Sequence, residues 1–431
     1  MKIVVMGLWH LGTVTGACLA AAGHTVIGLD GDAQVIAQLQ AGRPPLYEPG
    51  LEDLVKAGIA SGRLGFTIDP DAALHQAELL WVAYDTPVDE DDRADVDFVI
   101  GQVTGIFPHL PDGIIVLISS QLPVGSTGRL RQLYAQACPG RTAAFACSPE
   151  NLRLGKAVEA FTHPDRVVVG TYEEIARRRI AQMLEPITDR IEWMSVESAE
   201  MTKHALNAFL ATSVAFINEV ASLCEQVGAD AAEVERGLKT DTRIGPQARL
   251  KPGSAFAGGT LARDLEYLIR IGRERHLTTH LISAVKASND VHQDWPRRQL
   301  RAVVGDLRGQ PVAVLGLTYK PGTDTLRRSS AIEICRWLHE QGAKVQAHDP
   351  LVSRLPDDLS PIIALRPSVE EALRGAVVAL IASECPEFKT LDAVAVVKAM
   401  ARPVVIDPHR FLALELGSDN RIQYLAVGRV Q

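Results

Sequence analysis

Short apolar runs recur along the first 195 residues, and turns rich in glycine, proline or polar residues separate them. Apolar runs of about 4 to 8 residues bounded by turns are typical of strands buried in a parallel sheet. Such strands are predicted within six segments, each given together with any turn that follows the strand: 2–6, 25–30, 79–87, 114–126, 142–155 and 190–195. Helical stretches alternate with these strands. The alternation predicts a doubly wound α/β domain whose ligand sites lie at the carboxyl ends of the strands.

The pattern changes beyond this first domain. Residues 196–227 contain no glycine or proline and their apolar positions follow a helical period, so we predict a single helix of about 30 residues. Alternating strands and helices return near Pro311. The predicted fold class is α/β, with two Rossmann-like doubly wound parallel-sheet domains, 1–195 and 297–431, joined by the long central helix and a helical dimerisation domain, 196–296.

Composition narrows the class of protein. The 431 residues are enough for two or three domains. With 44 Lys and Arg against 52 Asp and Glu, the net charge of −8 argues against nucleic acid or an anionic membrane as the main partner. No run of about 18 apolar residues exists, and the start is typical of a strand rather than a signal peptide, so we expect no membrane segment and a cytoplasmic location. The six cysteines lack paired spacing, which predicts reduced thiols and no metal site.

A loop after the first strand has features of a dinucleotide-binding fingerprint. Residues 7–12, GLWHLG, precede an alanine-rich helix, and the acidic Asp30 follows about 20 residues later. In such a fingerprint the helix N-terminus holds the pyrophosphate and the acid binds the ribose. Trp9 replaces the middle glycine, so the alternative is a Rossmann-type domain with weakened dinucleotide binding. The predicted cofactor-binding residues here are Gly7, Trp9, His10, Leu11, Gly12 and Asp30.

Polar residues also stand at three further strand ends and on the long helix. Thr86 and Gln121 are predicted to contact the cofactor and Glu150 to belong to the active site, because all three follow predicted parallel strands. Capping of a loop is the alternative for each. Lys203 and Asn207 are four residues apart and therefore share one face of the long helix. They predict a site near a domain junction, with a solvated surface as the alternative.

A glycine-rich loop, residues 250–259, runs into a helix that begins near Leu261. Glycines allow a backbone to approach a ligand and a helix N-terminus attracts anions, so the loop is predicted to hold the phosphate or sugar end of a ligand, with Gly258 among its contacts. Asp264 lies in the first turn of the helix. Arg243, shortly before the loop, is a candidate anion ligand or otherwise a surface arginine.

A basic loop follows the first strand of the second α/β domain. It contains Lys320, Arg327 and Arg328. Doubly wound sheets bind phosphates at this place, so an anion site is predicted, with a solvated loop as the alternative. The overall acidity of the chain does not exclude a small anionic ligand, since local clusters decide that.

Several longer segments carry a resemblance to a known family. They are YEPGLEDL (47–54), DTP (85–87), LPVGS (122–126), PENLRLGKA (149–157), PDR (164–166), AEMTKHALNAFLATSVAFINEVASLCE (199–225), DTRIGP (241–246), the glycine-rich loop and GLTYKPGTDTLRRS (316–329). Over nearly its whole length the chain resembles the UDP-glucose/GDP-mannose dehydrogenase family. The resemblance implies an N-terminal NAD-binding domain, a helical dimerisation domain and a C-terminal nucleotide-binding domain. It therefore implies NAD as cofactor, a nucleotide sugar or related nucleotide as substrate, and a homodimer.

The resemblance also implies roles for single residues. Members of the family oxidise a sugar hydroxyl to a carboxylate in two hydride transfers, and a loop cysteine adds to the intermediate aldehyde. Thr260 stands at that cysteine position, and Gln121 stands where a threonine is usual. The residues implied to stabilise the alkoxide and transfer protons are Lys203, Asn207, Glu150 and Asp264. The other implied contacts are Arg243, Phe256, Gly258 and Lys320 for the substrate and Arg327 for the cofactor.

Three functional hypotheses follow. Without the thiol, the enzyme performs a single hydride transfer from an alcohol, or a redox-neutral variant. Alternatively, it completes the four-electron oxidation through a hydrated aldehyde or through Cys147, which is more simply interpreted as a buried apolar residue. In the third hypothesis it binds nucleotide sugars without catalysis, which the changes at Trp9, Gln121 and Thr260 favour. We prefer the first, because a threonine hydroxyl is a poor nucleophile while the four residues implied in catalysis are kept.

Overall fold

The computed structural model describes residues 1–87, 94–150, 152–257, 259–319 and 322–429. Two of the predicted substrate residues, Gly258 and Lys320, lie outside the described residues. The chain forms two compact units, Met1–Ala205 and Leu206–Gln431. Each unit contains one sheet that is covered by hydrophobic clusters on both faces. The predicted fold class, two Rossmann-like α/β domains with a helical region between them in sequence, is confirmed.

The first unit is built on a sheet with the order β3-β2-β1-β4-β5-β6-β7-β8. Its strands are β1 Lys2–Met6, β2 Thr25–Leu29, β3 Leu64–Thr67, β4 Leu79–Val82, β5 Ile114–Ile118, β6 Ala143–Cys147, β7 Val167–Thr171 and β8 Ile191–Met194. Its helices are α1 His10–Ala21, α2 Ala33–Gln40, α3 Leu51–Ala60, α4 Pro70–Leu74, α5 Val96–Gly105, α6 Ser126–Ala137, α7 Ala157–Thr162 and α8 Glu174–Leu184, with a 3₁₀ turn at Phe107–His109. The pairing of β6 with β7 is antiparallel, which the prediction of a parallel sheet did not include.

The second unit is built on a parallel sheet with the order β11-β10-β9-β12-β13-β14. A long helix, α9 Val196–Val227, begins in the first unit and continues into the second. The helices that follow are α10 Ala231–Thr240, α11 Thr260–Glu274, α12 His280–Gln293, α13 Trp295–Val304, α14 Ser330–Glu340, α15 Val369–Leu373 and α16 Ala393–Ala399, with a 3₁₀ turn at Pro386–Thr390. The strands are β9 Pro311–Leu315, β10 Lys344–His348, β11 Ile363–Leu365, β12 Val378–Ile381, β13 Val404–Ile406 and β14 Gln423–Leu425.

Alternate residues of the central strands pack on opposite faces of the first sheet. In β1, Ile3 and Val5 pack in the cluster that includes α1. Val4 and Met6 pack in the other cluster, together with Phe107. The alternation follows from the period of two along a strand, and full burial of each such side chain stabilises the fold by about 1.5–3 kcal/mol. The strand ends therefore extend from a rigid layer that can position the residues after them.

Both sheets use the same arrangement at the point where their strand order reverses. After β1, the N–H of Leu8 donates to Asp30 Oδ2 at 2.7 Å. After β9, the N–H of Leu317 donates to Asp349 Oδ2, also at 2.7 Å. In both loops a glycine precedes the leucine, with φ of 90° and 89° respectively. Such switch points are where doubly wound sheets bind nucleotides, so each unit presents one candidate crevice.

The helix α9 confirms the prediction of one uninterrupted helix over residues 196–227. Among the described residues it is the one helix whose length and composition would allow it to cross a membrane. Length and composition alone do not separate a membrane span from a core helix of a globular protein. In α9, 44% of the most apolar stretch is buried inside the protein, which is typical of a helix that contributes to a core.

We predict that Gly12→Ala destabilises the first unit. A Cβ on Gly12 would lie 1.7 Å from the carbonyl oxygen of Gly7, so α1 would have to move away from the sheet. Overpacking of this kind costs about 1–3 kcal/mol, which lowers the melting temperature by at least about 2 °C. Gly101→Ala is the matched control, because Gly101 lies within α5 with no atom within 4 Å of its added Cβ. An unchanged melting temperature for Gly12→Ala would contradict the packing described.

Candidate active site

The loop after β1 has the shape that a dinucleotide pyrophosphate requires. A Cβ on Gly7 would lie 2.7 Å from the ring of Tyr84, and Gly12 is equally intolerant of one. Both positions therefore need glycine for the close approach of backbone and sheet. Trp9 differs, since its φ of −74° suits any residue and its side chain is 50% exposed. The indole is thus accommodated outside the core, and α1 keeps its N-terminus at the mouth of the loop, where an anion binds.

Two carboxylates border this loop. Asp30 accepts the N–H of Leu8 on Oδ2 and the N–H of Asp32 on Oδ1, at 2.7 and 3.0 Å. A carboxylate has about four acceptor positions, so each oxygen retains capacity for a ribose hydroxyl. Asp85 Oδ2 lies 3.5 Å from the N–H of Leu11 in the first turn of α1. The glycine cradle and the acid at the end of β2 together fit the adenosine and pyrophosphate of a dinucleotide such as NAD.

His10 is anchored by a buried glutamate that the sequence did not single out. Its Nε2 donates to Glu48 Oε2 at 3.0 Å. Glu48 also accepts the backbone N–H groups of Gly155 and Ala157, at 2.8 and 2.7 Å. It therefore ties the predicted cofactor loop to the segment that follows Glu150. The Glu48 carboxylate is stable although it is buried, because it accepts three hydrogen bonds and its negative charge strengthens each of them.

Thr86 and Gln121 are brought together at the carboxyl ends of two neighbouring strands. Thr86 follows β4, Gln121 follows β5, and both side chains are buried. The Thr86 hydroxyl donates to the carbonyl oxygen of Gln121 at 2.8 Å. The two predicted cofactor contacts thus form one edge of the same crevice, as expected from the parallel sheet.

A small cavity surrounds Lys203. The Lys203 ammonium donates to the carbonyl oxygen of Glu150 at 2.7 Å and lies 3.4 Å from Glu150 Oε1. Only 10% of the Lys203 side chain is exposed. The lining residues are Ile118, Ser119, Ser120, Gln121, Leu122, Cys147, Pro149, Glu150, Glu200, Lys203 and His204. Lys203 and Glu150, which are 53 residues apart in the chain, therefore meet at this cavity. A buried ammonium beside a carboxylate can donate to an oxygen that becomes negative.

Cys147 lines this cavity but is not activated. Burial raises the pKa of the Cys147 thiol well above its usual value, and the charge of Glu200 raises it further. The thiol is therefore neutral at physiological pH, and a neutral thiol is a weak nucleophile. All six cysteines are unpaired and buried. The structure supports the simpler interpretation of Cys147, as a small apolar residue of β6.

Asn207 and Asp264 form a buried pair between α9 and α11. Asn207 Nδ2 donates to Asp264 Oδ2, and both side chains are excluded from solvent. Thr260 is the first residue of α11, and it is exposed. The preceding Gly259 has φ of +104°, a conformation that favours glycine. Asn207 follows Lys203 by four residues in α9, and a site shared by the two residues stays a prediction.

The glycine-rich loop is held by two buried amides. Asn289 binds both sides of the Phe256 backbone, accepting from its N–H and donating to its carbonyl oxygen, at 2.9 Å each. Asn218 Oδ1 accepts the N–H of Gly253 at 3.0 Å. The Phe256 ring packs against the cluster formed by α9, α11 and α12. The loop is thus ordered by side-chain amides rather than by secondary structure, which leaves its outer side for a ligand.

The predicted arginine ligands lie on the surface of the second unit. Arg243 is exposed and pairs with its neighbour Asp241 through Nη2 to Oδ2, at 2.7 Å. Arg327 is exposed as well. Arg328 is the basic residue beside the glycine-rich loop, with Nη1 3.8 Å from where a Cβ on Gly259 would lie. Within this unit, the described contacts therefore bring Arg328 to the loop, and they leave Arg243 and Arg327 directed to solvent.

Four buried polar residues that were not predicted hold loops of the two units, Glu48 and Glu200 in the first and Asn218 and Asn289 in the second. A local signal exists for Asn218 and Asn289, since each is a polar residue inside an apolar helical face. Buried amides are almost always hydrogen-bonded, so such residues indicate a partner. Glu48 and Glu200 carry no such signal, because their partners, the His10 side chain and several backbone N–H groups, lie far away in sequence.

Three models of one family match successive parts of the chain. Residues 1–188 match the NAD binding domain of the UDP-glucose/GDP-mannose dehydrogenase family, 197–291 match its central domain and 313–413 match its UDP binding domain. The UDP-glucose 6-dehydrogenase YwqF of Bacillus subtilis is 32% identical over 432 residues, covering 100% of this chain and 98% of its own. The UDP-glucose 6-dehydrogenase of Rhizobium meliloti is 32% identical and covered over 100% of both chains.

A solved structure is similar over nearly the whole chain. The UDP-glucose dehydrogenase from the archaeon Pyrobaculum islandicum superimposes with a TM-score of 0.89 at 30% identity, covering 99% of this chain and 97% of that one. At this level of identity and coverage the similarity extends beyond a shared fold, since superfolds alone host many unrelated functions.

We predict that iodoacetamide at pH 7.5 leaves Cys147 unmodified in the folded protein and leaves any oxidoreductase activity intact. The reason is that burial raises the pKa of this thiol, so the reactive thiolate is absent. Peptide mass mapping measures the modification, and the guanidinium-unfolded protein, in which all cysteines react, is the control. The Thr260→Cys variant provides an exposed thiol for comparison. Rapid labelling of Cys147 with loss of activity would support the hypothesis that Cys147 is the nucleophile.

Proposed function

Because the chain belongs to the UDP-glucose/GDP-mannose dehydrogenase family, we propose that it oxidises an alcohol of a nucleotide sugar to a carbonyl group in a single two-electron step. The family makes it an NAD-dependent nucleotide-sugar dehydrogenase. One observation carries the finer proposal: Thr260 stands exposed at the start of α11, where the family pattern has its thiol. UDP-glucose, the substrate in the names of the relatives, is the first compound to test.

We assign Lys203 the role of binding the alcohol oxygen and Glu150 the role of accepting its proton. When bound, NAD accepts the hydride that leaves the carbinol carbon. The Lys203 ammonium uses one N–H for the Glu150 carbonyl oxygen and has further N–H groups for the developing alkoxide. The Glu150 carboxylate, 3.4 Å from Lys203 Nζ and 20% exposed, receives the hydroxyl proton and releases it to solvent.

Asn207 and Asp264 are assigned a supporting role. The Asn207 amide donates one of its two N–H groups to the buried Asp264 carboxylate, which orients the amide. The second N–H of the amide is then directed by that bond and can donate to an oxygen of a ligand. Preorganised donors of this kind lower the barrier because they need no rearrangement during the reaction.

The reaction stops at the carbonyl compound because the described residues offer no activated nucleophile. An aldehyde releases a second hydride readily only after a nucleophile has added to its carbon. Thr260 has a hydroxyl whose pKa lies far above neutral, and the raised pKa of Cys147 keeps that thiol protonated. The first step needs only alkoxide stabilisation and a proton acceptor, the roles assigned to Lys203 and Glu150.

We predict that limiting UDP-glucose with excess NAD yields one NADH per sugar, and that the Thr260→Cys variant yields two. The added thiol can form a thiohemiacetal with the aldehyde, and the thioester left by the second hydride transfer is then hydrolysed. Absorbance at 340 nm counts NADH and mass spectrometry identifies the product. Thr242→Cys, another exposed threonine in the same unit, is the control and should still yield one.

If UDP-glucose is not turned over, UDP-N-acetylmannosamine and GDP-mannose extend the panel. Two NADH per sugar from the wild type would show the four-electron reaction. Interconversion of sugars without net NADH would show the redox-neutral variant. No product with any of the sugars, together with no rise in melting temperature on adding NAD, would leave a binding protein without catalysis.

The homodimer is also a proposal, and it is supported by a stripe of exposed apolar residues on α9. Phe209, Phe216 and Leu223 recur every seven residues and are 68%, 49% and 65% exposed. A spacing of seven places them on one face of a helix, as in helices that pair with each other. An apolar stripe of this size is unfavourable in water unless it is covered. We propose that α9 of a second copy covers it in a two-fold symmetric dimer.

We predict that Phe216→Glu converts the dimer to a monomer of 46.6 kDa, because two like charges would be buried at the centre of the helix pair. Multi-angle light scattering after gel filtration measures the mass. Leu414→Glu places the same charge on an 88% exposed leucine outside the stripe and should leave the dimer intact. A wild-type protein that elutes as a monomer at micromolar concentration would refute the proposed interface.

A further inference from the structure

The helix α6 begins without a cap from its own sequence. Its N-cap residue, Gly125, has no side chain, and its first turn contains no acidic residue. Glu200, one turn into α9, supplies the acceptor instead. Its Oε2 accepts the N–H of Gly125 at 2.6 Å, and its Oε1 accepts the N–H of Thr127 at 2.9 Å. A side chain 73 to 75 residues away in sequence therefore caps α6.

The contact is strong because it is buried. Glu200 is only 5% exposed, and a carboxylate removed from water is costly unless it is fully hydrogen-bonded. Two charge-assisted bonds from backbone N–H groups offset that cost, and the positive end of the α6 dipole adds to them. Such bonds are short and directional, so they fix the first turns of α9 against the start of α6.

The same turn is bound again on the other side of Lys203. His204 Nε2 donates to the carbonyl oxygen of Leu122 at 3.0 Å. Lys203 therefore lies between two residues, Glu200 and His204, that both bind the segment 122–127. The backbone of α9 cannot shift by a residue or rotate at Lys203 without breaking one of these contacts.

Glu200 also lines the cavity that contains Lys203 and Gln121. The segment that Glu200 and His204 bind, 122–127, follows directly after Gln121. The Glu200 carboxylate therefore helps to fix Lys203 and Gln121 relative to each other. Misplacement of a reacting group by about 1 Å can lower a rate by about 100-fold. The placement of the Lys203 ammonium is therefore sensitive to this contact even though Glu200 is engaged entirely with backbone groups.

We propose that Glu200 is a positioning residue for the hydride-transfer site: by capping α6 it holds Lys203 and the Gln121 turn in the geometry that stabilises the alkoxide. The inference rests on the proposed function, in which Lys203 binds the reacting oxygen. Both carboxylate oxygens of Glu200 accept backbone N–H groups of the turn that it caps, and the proposal assigns them no contact with the substrate. Its contribution to the rate passes through Lys203.

The test uses Glu200→Gln in the full-length protein. The variant is isosteric but places an amide N–H₂ against one of the two backbone donors and removes the charge, so the cap is weakened. We expect kcat with NAD and UDP-glucose, or with the member of the sugar panel that is turned over, to fall about 10- to 100-fold. KM for the sugar should change less than about threefold, since the variant leaves the contacts that bind substrate and transition state equally unaffected.

The matched control is Glu197→Gln, in the first turn of the same helix. Glu197 is exposed and its carboxylate accepts a bond from the side-chain hydroxyl of Tyr172 at 2.7 Å, whereas the Glu200 carboxylate accepts backbone N–H groups of the α6 start. Its kcat should stay within about twofold of the wild type. If Glu200→Gln does not fold, Glu200→Asp carries the same test, because it keeps the charge and is one methylene too short for both bonds.

A double-mutant cycle separates positioning from general stability. If Glu200 acts through Lys203, then Glu200→Gln has no further effect on kcat in a Lys203→Ala background. If the double variant loses kcat by the product of the two single-variant losses, the inference is overturned. It is also overturned if Glu200→Gln keeps full kcat and only its melting temperature falls. Neither outcome affects the role of Lys203. Full kcat in Lys203→Ala would overturn the proposed function, and with it the positioning role.

Discussion

The loops at the carboxyl edges of both sheets depend on buried or partly buried carboxylates that accept their backbone N–H groups. Asp30 and Asp349 hold the loops at the two switch points. Glu48 holds the segment after Glu150, and Glu200 holds the turn before α6. A buried N–H without a partner costs about 1–3 kcal/mol and a buried carboxylate without donors costs more, so each group stabilises the other. These loops are thereby ordered without apolar filling, which leaves space at the sheet edges for a polar ligand.

Local patterns were sufficient for much of the fold. The bounds of β1 and α9 agree with the predicted 2–6 and 196–227, because β1 is a short apolar run and α9 a long run of helical period, and each is followed by a glycine. The short strand β3 has one fully buried residue and therefore no apolar run to reveal it. The antiparallel β7 could not be inferred either, since the direction of a strand depends on its partner β6 and not on its own sequence.

The residues of the candidate site also divide into those that local patterns predicted and those that they did not. Glu150 and Lys203 could be proposed because one follows a strand and the other shares a helix face with Asn207, and both signals are local. The support of the site could not. Glu200 resembles any glutamate near the start of a helix, and its role depends on a turn more than 70 residues earlier in the chain. Long-range contacts to backbone groups leave no trace in residue type, because every residue except proline offers the same N–H.

Two of the departures from the family pattern, Trp9 and Thr260, fall at exposed positions where the fold tolerates substitution. The first and third fingerprint glycines are required by packing, since a Cβ would meet Tyr84 or the Gly7 carbonyl oxygen. The middle position has an ordinary φ, and Trp9 occupies it half-exposed. Likewise Thr260 is an exposed first residue of α11, where any residue can begin a helix, while the buried Asp264 one turn later is kept. Positions 9 and 260 are therefore exempt from the packing constraints that fix Gly7, Gly12 and Asp264, so each can be substituted without disturbing the fold.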